Sequence, residues 1–415
     1  MKRLFLLLLS LLAASGQIYV KNFAACNGAV EHAALVAAFA AATNEPLIFQ
    51  PNKTCVFDPT QLRIDISGKT IIAEGATLKN GYYAVTGGSS TNWTGGTLLQ
   101  DGTTDNFNSP KILATGGTGL RFTGLTCTNA TSYACFQLSG ANNVWIDKPD
   151  IFQAGLNSIT ITQGKHIHIT NGRMKGTPGG SDDGIAIVDG GGDVQDVVIA
   201  NMTGEDIYDI LKIVNVTNTV RDVSVTGCTG TNVVAPLYIQ TSGAVATNNI
   251  SLSGCNFFDT TGSMAENLVR YAISGGATVR NVKVNNVTFR GRTYPVNNSI
   301  AQITNTGATI DGLEVTGLRW DDIYNGAANG GSAPGYPANM GFVYSASGAA
   351  AASNIKLDSW FINGTATYAI RVTSPITNFS VWNMYGKNLY KTNPTGTLVS
   401  VTAGSIDEFH NTWIR

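Results

Sequence analysis

The sequence predicts an all-β protein, a parallel β-solenoid with a short helix near its start. Three observations carry that expectation. The first is a phrase that keeps returning: Asn142-Asn-Val-Trp-Ile, Lys165-His-Ile-His-Ile, Gln195-Asp-Val-Val-Ile, Arg221-Asp-Val-Ser-Val and Asn248-Asn-Ile-Ser-Leu. Arg280-Asn-Val-Lys-Val, Asp311-Gly-Leu-Glu-Val, Ser353-Asn-Ile-Lys-Leu and Thr377-Asn-Phe-Ser-Val complete it. Its steps run from roughly 23 to 32 residues with one longer gap, a period at which units stack because none buries its apolar face alone. The second observation is period-two alternation within each phrase, which marks strands rather than helices. The third is composition. With 43% hydrophobic residues, 13% charged residues and 47 glycines, the chain suits a large core interrupted by many tight turns. A net charge of −1 lacks the basic footprint of a nucleic-acid partner.

Residues 1–16 read as a secretory signal, with Lys2 and Arg3 as the basic region, Leu4 to Leu12 as the apolar stretch and Ala14-Ser15-Gly16 as the cleavage site. The stretch is too short to span a membrane, so a secreted, extracellular protein with no membrane span is expected. Residues 17–60 are assigned to an N-terminal cap. Within it Glu31 to Thr43 is Ala-rich, with Leu35, Val36 and Phe39 at helical spacing, and Pro46 to Pro51 reads as a strand. A helix lying over the first open coil would close that end. Residues 61–415 are assigned to the solenoid, each coil read as two strands, with Phe409 and Trp413 covering the far end.

Six cysteines in an exported chain can form disulfides. Cys228 and Cys255 occupy equivalent places in consecutive repeats, about 4.8 Å apart in a parallel stack, within reach of a bond. Cys127 with Cys135 and Cys26 with Cys55 follow by proximity; a ladder of buried free thiols is the alternative. Ten Asn-X-Ser/Thr sequons permit glycosylation in a eukaryotic host. Insertions at Lys175–Ser181, Asp259–Asn267, Gly291–Asn298 and Asp321–Met340 recur at one place in the coil, where repeat proteins commonly build a binding face.

The opening Ile18-Tyr-Val-Lys-Asn-Phe-Ala-Ala-Cys-Asn-Gly, its Ala-rich helix and Leu47-Ile-Phe-Gln-Pro resemble the entry of the pectate-lyase-like right-handed parallel β-helix superfamily. That superfamily includes polygalacturonases, pectin and pectate lyases, and phage tailspikes. Ser181-Asp-Asp-Gly-Ile-Ala-Ile resembles the Asn-Thr-Asp-Gly and Gly-Asp-Asp-Cys-Ile-Ala-Ile motifs of polygalacturonases. By coil order the resemblance matches Asp183 and Asp209 to an Asp of each motif. Tyr208 stands where the second motif has its first Asp, and Val234-Ala-Pro-Leu replaces the family's Gly-His-Gly. Arg270-Tyr-Ala is the nearest segment to Arg-Ile-Lys.

Aligning second strands on their last aliphatic residue also places Asp183 and Asp209 one above the other, roughly 5 Å apart from the coil spacing. Asp182 and Asp206 flank them. Two carboxylates this close hold a proton between them unless a cation intervenes. A protonated and an ionised carboxylate make the acid–base pair of glycoside hydrolysis, with no cofactor; a bridged pair would instead be a Ca²⁺ site of a polysaccharide lyase. Lys212 and Tyr238 share an outward column. Lys212 would be a lyase base only if burial or nearby positive charge lowered its pKa; otherwise Lys212, Tyr238, Arg270 and Arg290 are expected to bind substrate. Arg292, Tyr294, Trp320, Tyr324 and Tyr336 extend a possible sugar-binding wall. His166 and His168 lack partners at metal spacing. The expected protein is a monomeric, secreted hydrolase of a uronate-containing polysaccharide, with a lyase or a non-catalytic adhesin as rivals. The catalytic residues are then Asp183, Asp209, Asp182 and Asp206.

Overall fold

The structure is a computed structural model that describes residues 16–61, 63–88, 90–100, 110–128, 134–152, 156–177, 182–190, 192–215, 217–259, 269–291, 299–322, 340–363, 368–387, 399–401, 408–410 and 413–414. The signal-like stretch through Ser15 and most of the four insertions lie outside them. The chain divides into two compact units, Met1–Lys175 and Gly176–Arg415. Both are parallel β-solenoids.

In the second unit every coil contributes three strands, each to its own parallel ladder. The first ladder runs Asp183–Val188, Leu211–Asn215, Leu237–Thr241, Val269–Ser274, Ser299–Thr306, Met340–Ser347, Tyr368–Val372 and Val399–Val401. Its inward positions form unbroken apolar columns, such as Ile187, Ile213, Ile239, Tyr271, Ile303 and Tyr344. The second ladder begins at Val194–Ala200 and contains the recurring phrases. The third strand was not legible in the repeat. It is short and often, as in Thr203–Glu205 and Thr229–Thr231, carries a lone inward glycine between polar residues, so no alternation betrays it. The insertions all fall between a third-ladder strand and the next first-ladder strand.

The recurring phrase has a conformational cause. Its second residue is left-handed in all nine instances: Asn143, His166, Asp196, Asp222, Asn249, Asn281, Gly312, Asn354 and Asn378 have φ between 51° and 83°. Only Gly, and next to it Asn, Asp and His, adopt that region cheaply. Their side chains then bond between coils. Asn281 Nδ2 donates to Asn249 Oδ1 at 3.1 Å, and Asn249 Nδ2 to Asp222 Oδ1 at 2.8 Å. A second left-handed column follows the second ladder, through Asn201, Gly227, Gly254, Asn286, Gly317, Ser359 and Asn383.

The first unit has the same three ladders, and they begin before residue 61. Ile18–Tyr19 pairs with Leu47–Ile48, and Asn27–Val30 with Thr54–Val56, so strands of the ladders already occur within the segment assigned as a cap. Its helix spans His32–Ala41 and buries Leu35, Ala38 and Phe39. Val36, expected inward, is 38% exposed; Ala38 takes its place because it stands three residues after Leu35, on the same helix face as Leu35 and Phe39. Phe39 packs 6.0 Å from Tyr83, which meets Trp93 edge-on at 4.8 Å. At the far end of the chain Glu408–His410 and Trp413–Ile414 continue the second and third ladders, so this segment adds strands to the stack where a covering was expected.

All three disulfides join the pairs expected: Cys26–Cys55, Cys127–Cys135 and Cys228–Cys255. The last links register neighbours with Cα atoms 4.6 Å apart. Replacing Cys228 and Cys255 together with serine should lower unfolding free energy by about 3 kcal/mol in the chain-entropy picture, read by urea denaturation. In the left-handed column, His166→Gly should cost at most a few tenths of a kcal/mol, whereas His166→Val should cost about 1–2 kcal/mol. Equal stability of the two variants would show that the φ of this position does not constrain it.

Candidate functional site

The first ladder of the second unit carries the candidate site on its outward side. Ile185 pairs with Leu211 and Ala186 with Lys212, and the Gly184 amide donates to the Asp209 carbonyl at 2.9 Å. Asp183 and Asp209 are therefore neighbours in consecutive coils, as the alignment anticipated. They sit where the chain turns into the strand. Strand alternation breaks there, with Asp209, Ile210 and Leu211 all fully buried. Asp183 is nearly so, at 7% exposure.

Lys212 supplies the counter-charge. Its Nζ donates to Asp183 Oδ2 at 2.8 Å. Burial, the largest single influence, pulls the Lys212 pKa down. The hydrogen bond and charge of Asp183, followed by Asp209 and Tyr238, more than reverse that pull and hold it above 10.5. This direction is opposite to what a β-elimination base requires. Next along the column come Tyr238 and Arg270, paired in register with Lys212. The Lys212 ammonium lies 5.8 Å from the Tyr238 ring, and the Arg270 guanidinium 5.0 Å from the same ring. Cation–π attraction thus interleaves the two cations with an aromatic plane. Tyr238 Oη donates to Gln240 Oε1 at 3.0 Å.

Tyr208 completes the cluster, and sequence reasoning missed it. It appeared only as a replacement for an acid. Its ring stands 6.0 Å from the Lys212 ammonium, and its hydroxyl accepts from Arg270 Nη1 at 3.4 Å. The available signal was its position directly before Asp209, one coil from Tyr238 and two from Arg270.

The other candidates have different surroundings. Asp182 Oδ2 accepts the Thr177 amide at 2.8 Å and pins the start of an insertion. Gly176 approaches the Asp206 carbonyl so closely that a Cβ would collide with it. Asp206 is a left-handed corner residue, φ 53°, whose Oδ1 accepts from Asn232 Nδ2 at 2.8 Å. Arg290 lies on the third ladder, exposed, in register with Phe258 and Asp321. Trp320 is 8% exposed and packs 4.1 Å from Phe289, so it belongs to the core. Arg292, Tyr294, Tyr324 and Tyr336 lie outside the described residues. In the first unit His168 stacks on Trp145 at 5.7 Å. Among the described residues no three His, Cys, Asp or Glu side chains gather to hold a metal ion, and no helix is long and apolar enough to cross a membrane.

Comparison with solved structures bears on the fold. An endo-xylogalacturonan hydrolase from Aspergillus tubingensis superposes with a TM-score of 0.55 at 14% identity, over 78% of this chain and 97% of that one. A tailspike protein of E. coli bacteriophage HK620, in complex with a pentasaccharide, gives 0.56 at 10% identity over 91% and 80%. PfbA, a surface adhesin of Streptococcus pneumoniae, gives 0.51 at 12% identity over 92% and 93%. The shared feature is the parallel β-helix. No family model and no curated protein matches the sequence.

Within this parallel β-helix the Lys212–Asp183 pair is the main electrostatic contact of the cluster. Lys212→Met should cost about 2–3 kcal/mol, less than loss of a fully buried pair because Lys212 keeps 24% of its side chain in solvent. A lysine whose folded pKa is raised stabilises the fold fully below its unfolded value and loses that contribution as pH rises through the folded value. The gap between wild type and variant in urea denaturation should therefore hold at neutral pH and close above about pH 10.5. A gap that is absent at pH 7, or that widens in alkali, would contradict this assignment.

Proposed function

We propose that this protein is a secreted enzyme that hydrolyses glycosidic bonds in a uronate-containing polysaccharide. The observation that carries the reading is the outward column of the first ladder. That column runs Lys212, Tyr238 and Arg270; beside its first member Asp183 and Asp209 are neighbours in consecutive coils, and Lys212 bonds Asp183. A carboxylate pair can protonate a leaving oxygen and activate water. The Arg270 guanidinium and Lys212 ammonium suit a sugar carboxylate, the former bidentately, and the half-buried Tyr208 ring suits the CH face of a pyranose. Three disulfides fit an oxidising, extracellular compartment.

The roles divide by exposure. Asp183, at the surface edge, is the group placed to meet the glycosidic oxygen. Asp209 sits behind it and adds negative charge felt by Lys212. A uronate carboxylate arriving at Arg270 and Lys212 would compete with Asp183 for the ammonium and hand Asp183 its freedom to exchange a proton. The Ca²⁺-assisted lyase is disfavoured on the donor set. Asp183 Oδ2 already accepts from Lys212, and Asp182 and Asp206 are turned to backbone and corner bonds.

The enclosure of Asp209 at 0% exposure favours a second reading, a glycan-binding β-helix without turnover. A panel of polysaccharides assayed for new reducing ends and for unsaturated, ultraviolet-absorbing products separates these readings. On a cleaved substrate, Asp183→Asn should lower turnover by about 10²–10⁴-fold, the worth of general acid–base catalysis, and Asp209→Asn should lower it by less, with folding intact in both. The double variant should lose far less than the product of the two. Chelator should leave the rate unchanged. Full turnover in both single variants removes the acidic pair from the chemistry, and binding without products supports the second reading.

A further inference from the structure

The first unit carries a groove that the candidate site does not use. It encloses about 400 Å³ and is lined by Gln61, Arg63, Asp65, Tyr82, Ala84, Thr86, Leu113 and Thr115. The register explains its shape. Asp65, Ala84 and Leu113 are partners in three consecutive strands, Ile64–Asp65, Tyr83–Val85 and Ile112–Ala114, so Ala84 and Leu113 make an apolar strip on the outward face. Thr86 and Thr115 border it on one side, joined by the Thr115 amide bond to the Val85 carbonyl. Arg63 and Tyr82 border it on the other.

That second border is positively charged and rigid. Arg63 Nη1 donates to the Pro110 carbonyl at 2.7 Å and the Tyr83 carbonyl at 3.3 Å, which fixes the guanidinium plane. Its carbon lies 5.6 Å from the Tyr82 ring, and the Lys111 ammonium lies 4.3 Å from the same ring. Lys111 is 2% exposed and donates to Gln100 Oε1. Two cations therefore act on this border against one lining carboxylate, Asp65, whose Oδ1 accepts from the Ser67 amide and hydroxyl. An apolar strip, hydroxyls along one edge and a fixed guanidinium along the other match a pyranose that bears a carboxylate.

We infer that this groove is a binding site for an acidic sugar residue of a polysaccharide, distinct from the acidic cluster of the second unit. The carboxylate meets Arg63, the CH face rests on Ala84 and Leu113, and ring hydroxyls meet Thr86, Thr115 and Asp65. Calorimetric titration of the full chain with a short oligogalacturonate, and with its carboxyl-reduced counterpart, tests the assignment. The acidic oligosaccharide should bind, and the neutral one about tenfold or more weakly, as should the acidic one to Arg63→Gln, the usual loss of a charged hydrogen bond. Because Arg63 also holds two backbone carbonyls, Leu113→Glu supplies a second variant that fills the strip with negative charge at a part-exposed position and should abolish the component of binding that protects this groove. Hydrogen exchange should show protection of the peptides around residues 61–65, 82–86 and 111–115 on binding. Equal affinity for the neutral oligosaccharide, unchanged binding in both variants, or protection confined to residues 205–212 and 238–270 would overturn the inference. Reducing-end release, measured separately, reports on the proposed hydrolysis and is independent of this outcome.

Discussion

A parallel ladder holds each residue roughly 4.8 Å above its partner in the previous coil, and this register constrains everything else in the molecule. A side chain is never placed once; it becomes a rung in a column. Apolar rungs are favourable because each buries the one below. Charged rungs are not, and the columns show how the chain manages them. Lys283, Glu314 and Lys356 alternate in sign on the second ladder, with contacts of 3.7 and 3.9 Å. In the candidate site, Lys212 and Arg270 sit two coils apart with the Tyr238 ring between them. Asp183 and Asp209 are adjacent rungs of one sign, and the Lys212 ammonium that lies against Asp183 and within the field of Asp209 offsets their repulsion.

The register in turn depends on corners that repeat without drift. A one-residue slip in a strand turns its apolar set outward, so each coil must spend the same number of residues at each bend. Left-handed residues achieve this because that region bends the chain sharply within a single residue. The Asn and Asp at these corners add inter-coil hydrogen bonds that a glycine lacks. Gly312 occurs where the neighbouring Asp311 takes over the role, accepting from Asn354 Nδ2 at 2.6 Å. The charge on Asp311 is favoured by that bond and by Ser353, which hold its carboxyl below the usual range.

The fold was legible in the chain because the second ladder spells its corner and its alternation in adjacent residues, as in Arg221-Asp-Val-Ser-Val. The third ladder was hidden, since three-residue strands such as Thr229–Thr231 turn only one residue inward and Gly230 serves there as well as Phe257 does one coil later. The stacking of Asp183 on Asp209 was also legible, because register follows from aligned aliphatics. What each carboxylate touches was not. Asp206 reads as an acid near the pair, yet its left-handed φ sends its carboxylate to Asn232. Trp320 reads as a loop aromatic, yet it is an inward rung above Phe289. Parity within a strand decides such cases, and parity is invisible where strand ends are unmarked.

Burial in the cluster also bears on how a binding event would reach its chemistry. Asp183 is held by Lys212, so a substrate that did not touch Lys212 would meet a carboxylate already committed. A neutral sugar has no means of loosening that pair. An anionic sugar does, because its carboxylate offers the ammonium an equivalent partner on the solvent side, and Arg270 lies one rung beyond Tyr238 to share the load. Differential binding accelerates a reaction only where contacts strengthen on the way to the transition state. In the proposed hydrolysis, exchange of Lys212 from Asp183 to the substrate belongs to binding, and it would contribute to the chemistry only by leaving the Asp183 carboxylate able to take up a proton and pass it on. Selectivity for charged sugars and the readiness of Asp183 for proton transfer would then follow from one ammonium group on one rung of the ladder.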